Sequence, residues 1–281
     1  MGPVCDRQYF EGDTGGQVTV PAIETDGLTK QYGDLTALAD LSLSVESGAL
    51  FGLLGPNGSG KTTTIEILTG QRKPDAGTAS VLGIDPVANP REVRDVVGIL
   101  PEREDPPSFL TPREYLRFVG EVRELDDVDD RIDRWADRLE FTETLDTVAA
   151  DLSEGQRQRV MLGQTFVHDP DLVFIDEPLV NLDPILQERV KRELRAYCAD
   201  GNTLFLSTHF VDVAADLCDR VGILDGGHLR GTQETAEFDD DDLLDYFMET
   251  VDGGDVATAG GRSGGLAGET TPGTTEEALD S

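Results

Sequence analysis

Lysine is almost missing from this chain: Lys30, Lys61, Lys73 and Lys191 are the only four, against 19 arginines. All cations together number 23, against 56 carboxylates, for a formal net charge of −33. Such a charge excludes a protein that grips a nucleic-acid backbone through a basic face, so no nucleic-acid partner is expected. Cysteine is scarce as well. Cys5, Cys198 and Cys218 are odd in number and widely spaced, with no CxxC pair, which argues against a disulfide framework or a zinc site. No run approaches the ~20 consecutive apolar residues of a membrane span, so the chain alone is not expected to cross a membrane. Met1 to Phe10 contains no apolar h-region, and no secretory leader is expected.

What is present points to a folded, salt-adapted protein. Apolar residues make up 38 % of the sequence, enough for a core. Asp outnumbers Glu, 34 to 22. Near 1 M salt the screening length falls to about 3 Å, and so much like charge becomes tolerable. Stability in multimolar KCl is therefore expected.

The ends differ from the middle. Residues 1–19 are Gly-rich and acidic and read as a flexible arm. Residues 253–281 are Gly, Thr, Ala and Glu with almost no large apolar side chains, and read as a disordered tail. Before the tail, Leu243, Leu244, Phe247, Met248 and Val251 recur at helical spacing behind four aspartates, which predicts an acidic amphipathic helix over 237–252. Residues 20–236 form the main domain, of α/β class. Leu41, Leu43 and Val45 alternate with polar residues, as in a half-buried antiparallel strand. The short apolar runs 49–54, 96–100, 172–175 and 203–206 suit strands buried on both faces of a parallel sheet.

Residues 104–151 contain no strand-like run and predict a helical insertion. Thr111-Pro112-Arg113-Glu114 is a capping box with proline at the first helical position. Tyr115, Phe118 (or Val119), Val122 and Leu125 form one apolar stripe, and Val128, Ile132, Trp135 and Leu139 a second. Trp135 is taken as core packing.

Three segments carry chemistry. Gly55-Pro56-Asn57-Gly58-Ser59-Gly60-Lys61-Thr62 fits the phosphate-binding GxxxxGK[ST] pattern, after a strand and before the helical run from Thr63 to Leu68, with Gly70 as its C-cap type. Its backbone N–H groups can cradle phosphate oxygens, Lys61 can reach the β- and γ-phosphates, and Thr62 can bind Mg²⁺. The run Leu172–Ile175 delivers Asp176 and Glu177 at the end of a buried strand, where ligands of open α/β sheets bind. Asp176 suits a Mg²⁺ role, and Glu177 can accept a proton from an attacking water. Ser153 and Gly155 lie at a helix start, where N–H groups and the dipole attract an anion.

In this order the segments resemble the ATP-binding-cassette ATPases. Leu152-Ser153-Glu154-Gly155-Gln156 is similar to the LSGGQ signature of that family, with Glu at its third position. The resemblance covers about Ile23 to Gly231. Asp176 follows Lys61 by 115 residues, too few for the condensin and repair type with its long coiled coils. It implies a P-loop NTPase core of mixed sheet and helices, an antiparallel β subdomain and an inserted helical subdomain. It also implies that His209 is the switch histidine touching the γ-phosphate and that Asn181-Leu182-Asp183 is the D-loop facing a partner. Tyr32 would be the aromatic that stacks on adenine, and Thr63 and Gln156 would complete the nucleotide contacts. Where the family often has Gln after the fourth strand, Leu100-Pro101 is followed here by Glu102, which can still ligate Mg²⁺.

The expected activity is ATP hydrolysis with Mg²⁺, catalysed through Glu177, His209 and Lys61. ATP would lie between two nucleotide-binding domains, either two copies or a copy and a paralogue. The chain would serve separate multi-span membrane permease subunits at the cytoplasmic face of the membrane, more consistent with export than import. A soluble cassette acting on ribosomes or cluster assembly, and a regulatory cassette, are the alternatives.

Overall fold

The computed structural model describes residues 20–102, 104–177, 182–238 and 242–256, with side chains as far as Val251. The expected arm at 1–19, Cys5, Asn181 and residues 257–281 lie outside the described residues. In chain order the elements are β1 (Ile23–Tyr32), β2 (Leu35–Val45), β3 (Leu50–Leu54), α1 (Lys61–Leu68), β4 (Ala76–Val81), α2 (Pro90–Val96), β5 (Val97–Leu100), α3 (Pro112–Val122) and α4 (Val128–Arg138). There follow α5 (Glu154–Phe166), β6 (Leu172–Asp176), α6 (Pro184–Ala199), β7 (Thr203–Thr208), α7 (Val211–Leu217), β8 (Arg220–Asp225), β9 (His228–Glu234) and α8 (Asp242–Val256).

Two sheets organise the chain. A three-stranded antiparallel sheet has the order β2-β1-β4. A six-stranded sheet has the order β5-β6-β7-β3-β8-β9 and is parallel except for the β8–β9 pair. The strand chemistry explains the division. In β2, Leu41, Leu43 and Val45 are buried while Ser42 and Ser44 are exposed, the alternation of a sheet wet on one side. Every residue of β3, β6 and β7 is buried, as strands covered on both faces require. Phe205 joins their packing, with ring centroids 5.5 Å from Phe51 and 5.6 Å from Phe174. Of the run 96–100, Val96 ends α2 rather than opening β5.

Between β5 and α5 the described chain is helical: α3, α4 and short 3-10 turns at Thr142–Thr144 and Ala149–Asp151. The capping box closes as its sequence predicts. Thr111 Oγ1 accepts the Glu114 N–H at 3.2 Å, and Glu114 Oε2 accepts the Thr111 N–H at 2.9 Å. Trp135 is buried and stacks on Phe166 of α5 at 4.8 Å, joining α4 to α5.

The stripe expected on α3 is corrected. Leu116 and Gly120 face inward, with Tyr115 and Val119 half-buried beside them, whereas Phe118 is 59 % and Val122 68 % exposed. Leu125 lies beyond the helix, partly buried. The inward face is chosen by packing: Gly120 has no side chain, so Val128 can approach to where its Cβ would be, 2.6 Å from Val128 Cγ2. The C-terminal helix is also displaced from 237–252, starting at Asp242 and continuing to Val256. Glycine in a helix costs roughly 1 kcal/mol but does not forbid it, and the chain continues helical through Gly253 and Gly254. Leu243 is its buried anchor, while Leu244 and Met248 are exposed.

Three helices end on the same device. A left-handed residue follows the last turn, and the next N–H reaches back five residues: Gln71 to Glu66 O at 2.8 Å, Leu125 to Gly120 O at 3.0 Å and Phe141 to Ala136 O at 2.9 Å. The left-handed position holds Gly70 at α1 but Glu124 (φ 55°) at α3 and Glu140 (φ 54°) at α4. An L side chain there costs roughly 1–2 kcal/mol. Glu124→Gly is therefore expected to stabilise the fold by about 0.5–1 kcal/mol, after the greater freedom of glycine in the unfolded chain is subtracted. Denaturant midpoints of the two proteins check this; an unchanged or lower midpoint overturns it.

Candidate functional site

The site is built where β3, β6 and β7 end side by side. Strand β3 stops at Leu54, the loop 55–60 turns, and α1 starts at Lys61. The turn needs its glycines. A Cβ on Gly55 would stand 2.2 Å from Leu224 O, and Gly60 holds φ at 112°, where a Cβ would stand 2.4 Å from Ala37 O. No side chain caps the N-terminus of α1, so its first N–H groups remain for an anion. Ser59 Oγ is buried and, among the described residues, has no hydrogen-bond partner. Lys61 folds back over the loop, donating to Gly55 O at 2.7 Å and Pro56 O at 3.2 Å. Burial lowers its pKa, and the carboxylates of Glu177, Asp176 and Glu102 oppose that shift. Its positive charge is thus held among acids.

The register of β6 against β7 assembles the rest. Asp176 pairs with Ser207, and the Glu177 N–H donates to Ser207 O at 3.0 Å. Asp176 is 3 % exposed; its Oδ2 accepts from Thr62 Oγ1 at 2.7 Å and its Oδ1 from Ser207 Oγ. Glu177 sits at φ 55°, a left-handed conformation that costs an L residue energy and is typical of strained functional positions. Its carboxylate accepts from Thr208 Oγ1 at 3.0 Å, from the His209 N–H at 3.1 Å and from His209 Nδ1 at 2.7 Å. A carboxylate only accepts, so Nδ1 carries a proton here and Nε2 faces away from Glu177.

A cleft of about 580 Å³ lies over this floor. Tyr32, Asn57, Gly58, Gly60, Lys61, Thr62, Thr63, Glu102, Glu177 and His209 line it, as does an apolar side of Leu35, Ala37 and Phe210. Gly55, Pro56 and Ser59 belong to the loop beneath, and Asp176 lies under Thr62. The donor set suits Mg²⁺: a hydroxyl and a carboxylate 2.7 Å apart are hard oxygen ligands. Among the described residues no cluster of three or more His, Cys, Asp or Glu side chains is arranged to hold a metal alone. A divalent ion here would draw its remaining ligands from water and phosphate.

Four residues expected at the nucleotide stand apart from this cleft. Ser153 caps α5 in a capping box, its Oγ accepting the Gln156 N–H at 3.3 Å while Gln156 Oε1 accepts the Ser153 N–H at 2.8 Å. Gly155 lies in the first turn of that helix. Asp183 caps α6, accepting the N–H groups of Ile185 and Leu186, each at 3.1 Å. None of the four lines the cleft of their own chain. Ser207 and Thr208, conversely, were given no role by sequence, although two hydroxyls end an otherwise apolar strand.

Comparison with known proteins identifies the family. The ABC transporter family model matches residues 38–180. The chain is 36 % identical over 223 residues to Nod factor export ATP-binding protein I of Ralstonia nicotianae, covering 78 % of this chain and 69 % of that one. It is 36 % identical over 236 residues to the protein of the same name from Mesorhizobium japonicum, covering 80 % and 68 %. Among solved structures, an ATP-binding subunit of an ABC transporter superposes with a TM-score of 0.75 at 26 % identity, covering 81 % of this chain and 99 % of the other. A nucleotide-free cassette from an ABC transporter, at 22 % identity and a TM-score of 0.68, shares the fold.

Proposed function

The chain belongs to the ABC transporter family as an ATP-binding, ATP-hydrolysing domain, and from that premise we propose that it powers an export system through separate membrane-spanning permease subunits. The observation that carries the reading is the β6–β7 register, which sets Asp176 and Glu177 between the phosphate loop and His209. The export direction is supported by the relatives named above, which are export ATP-binding proteins.

The chemistry follows from the side chains. The loop N–H groups and Lys61 hold the β- and γ-phosphates, with Tyr32 under the base. Mg²⁺, when bound through Thr62, Asp176 and Glu102, neutralises charge on the phosphates. Glu177 takes the proton of the attacking water, and His209, held by Glu177 through Nδ1, turns Nε2 toward the γ-phosphate. Ser153, Gly155, Gln156 and Asp183 serve the nucleotide of a partner domain, a second copy or a paralogue. Their distance from their own cleft supports that division. Closure brings the partner's signature helix onto the γ-phosphate, and hydrolysis removes that contact.

The permease would dock on the helical insertion at the cytoplasmic face of the membrane. Among the described residues no helix is long and apolar enough to cross a membrane. Exposed Phe109, Phe118 and Val122 support an apolar docking face there. Tagged purification from detergent-solubilised membranes in multimolar KCl tests the reading. A stoichiometric protein with several apolar spans is expected; recovery only in the soluble fraction overturns the transport role and leaves the ATPase.

We also propose that the acidic composition is an adaptation to molar salt. The melting temperature is expected to rise as KCl goes from dilute to multimolar, because self-repulsion among the excess carboxylates is screened. A melting temperature indifferent to KCl overturns the adaptation.

A further inference from the structure

Tyr32 ends β1, lines the cleft and is 38 % exposed, so part of its ring is open to a ligand. Other parts are engaged by cations. The Arg72 guanidinium lies 5.2 Å from the ring centroid and the Lys30 ammonium 5.7 Å, both within the roughly 6 Å reach of a cation–π contact. Neither cation is loose. Arg72 grips Glu66 with a fork, Nε to Oε2 at 2.6 Å and Nη2 to Oε1 at 3.3 Å. Lys30 Nζ donates to Asp75 Oδ1 at 3.0 Å, while Asp75 Oδ2 accepts the Gln31 N–H at 2.7 Å and the Asp75 N–H donates to Thr29 O at 2.8 Å.

These contacts join two parts of the site. Glu66 belongs to α1, the helix whose N-terminus is the phosphate cradle, and Asp75 to the segment that follows it. Tyr32 belongs to the antiparallel sheet. A path of ion pairs therefore runs from the phosphate helix through Glu66 and Arg72 to the ring, and a second path ties β1 to the chain after that helix. A ring ordered before the ligand arrives loses less freedom on binding.

We propose that Arg72, with Lys30, is a positioning residue for the nucleotide base: through Glu66 it fixes the Tyr32 ring at a set distance from the phosphate cradle. The inference rests on the ATP-binding reading above and deepens it. It assigns to a surface ion pair, which could otherwise do no more than fasten the end of α1, a share of the affinity for the base.

The test compares ATP with inorganic tripolyphosphate, which carries no base. In Arg72→Gln the Kd and KM for ATP are expected to rise about three- to tenfold with kcat within twofold, and tripolyphosphate affinity to stay unchanged. Arg72→Lys, which keeps the charge, recovers most of the affinity. In a Tyr32→Ala background Arg72→Gln has no further effect. Should Arg72→Gln fold poorly, Glu66→Gln, which removes only the anchor, shows a smaller loss for ATP alone. Unchanged ATP affinity, an equal loss for tripolyphosphate, or full additivity with Tyr32→Ala overturns the proposal. A parent chain that binds neither compound overturns the ATPase reading and this proposal with it; a parent that binds ATP no better than Arg72→Gln does overturns this proposal alone.

Discussion

Glu177→Gln is expected to cut ATP turnover at least about a hundredfold while ATP affinity stays within a few-fold of the parent. The carboxamide has the shape of the carboxylate, so its oxygen can still accept from Thr208, and the strand register that holds the segment is untouched. What it lacks is the capacity to take a proton from water, and general-base contributions are of order 10²–10⁴. If ATP closes a dimer that hydrolysis reopens, as proposed above, the variant should also accumulate as an ATP-dependent dimer. Single-turnover hydrolysis, equilibrium binding and sedimentation with ATP read the three parts separately. Near-normal turnover would remove Glu177 as the base. Loss of binding instead would mean that the carboxylate's charge opposite Lys61 holds the cradle together.

The second large effect concerns stability. His168 follows α5, and its Nε2 lies 3.1 Å from Val97 O, which fixes the Nε2–H tautomer. Its Nδ1 is buried and, among the described residues, has no partner. Burial first, and the Arg123 guanidinium second, lower its pKa from 6.5 to about 4. Above pH 6.5 the ring is neutral folded or unfolded and costs nothing. Between pH 6.5 and 4 the unfolded chain takes a proton that the folded chain refuses, so stability falls as the pH falls. At about 1.4 kcal/mol per unit, the loss reaches roughly 3 kcal/mol by pH 4 and levels off below it. Carboxylates titrate in the same range, so the informative quantity is the difference between the parent and His168→Gln. That difference should shift in favour of the variant by about 2–3 kcal/mol between pH 7 and pH 4.5, by denaturant midpoints. A difference independent of pH would show that the folded ring accepts the proton.

The residues that made this site legible are those whose chemistry is local. The apolar runs before Gly55, Asp176 and His209 form β3, β6 and β7, and a glycine-rich turn between strand and helix has few uses other than an anion. Non-local choices were not legible. Ser207 and Thr208 gain their partners only because β7 lies beside β6 in one register. Arg72 meets Tyr32 across 40 positions of sequence, with no pattern to announce it. On α3 both faces carry apolar residues, and the bare backbone of Gly120 against Val128 decides that Leu116 turns inward and Phe118 outward. Left-handed Glu124 and Glu140 escape a search for helix ends, because that position normally advertises itself as glycine.

The chain has one tryptophan. Trp135 lies on α4, stacked on Phe166 of α5, with the Arg138 guanidinium 4.8 Å from its ring. The chain's tryptophan emission, excited selectively at the red edge, therefore comes from a single ring between α4 and α5, beside a cation and out of water. The protein carries its own optical gauge: a shift of α4 against α5 on binding nucleotide would appear as a change in tryptophan emission wavelength or yield, without a label.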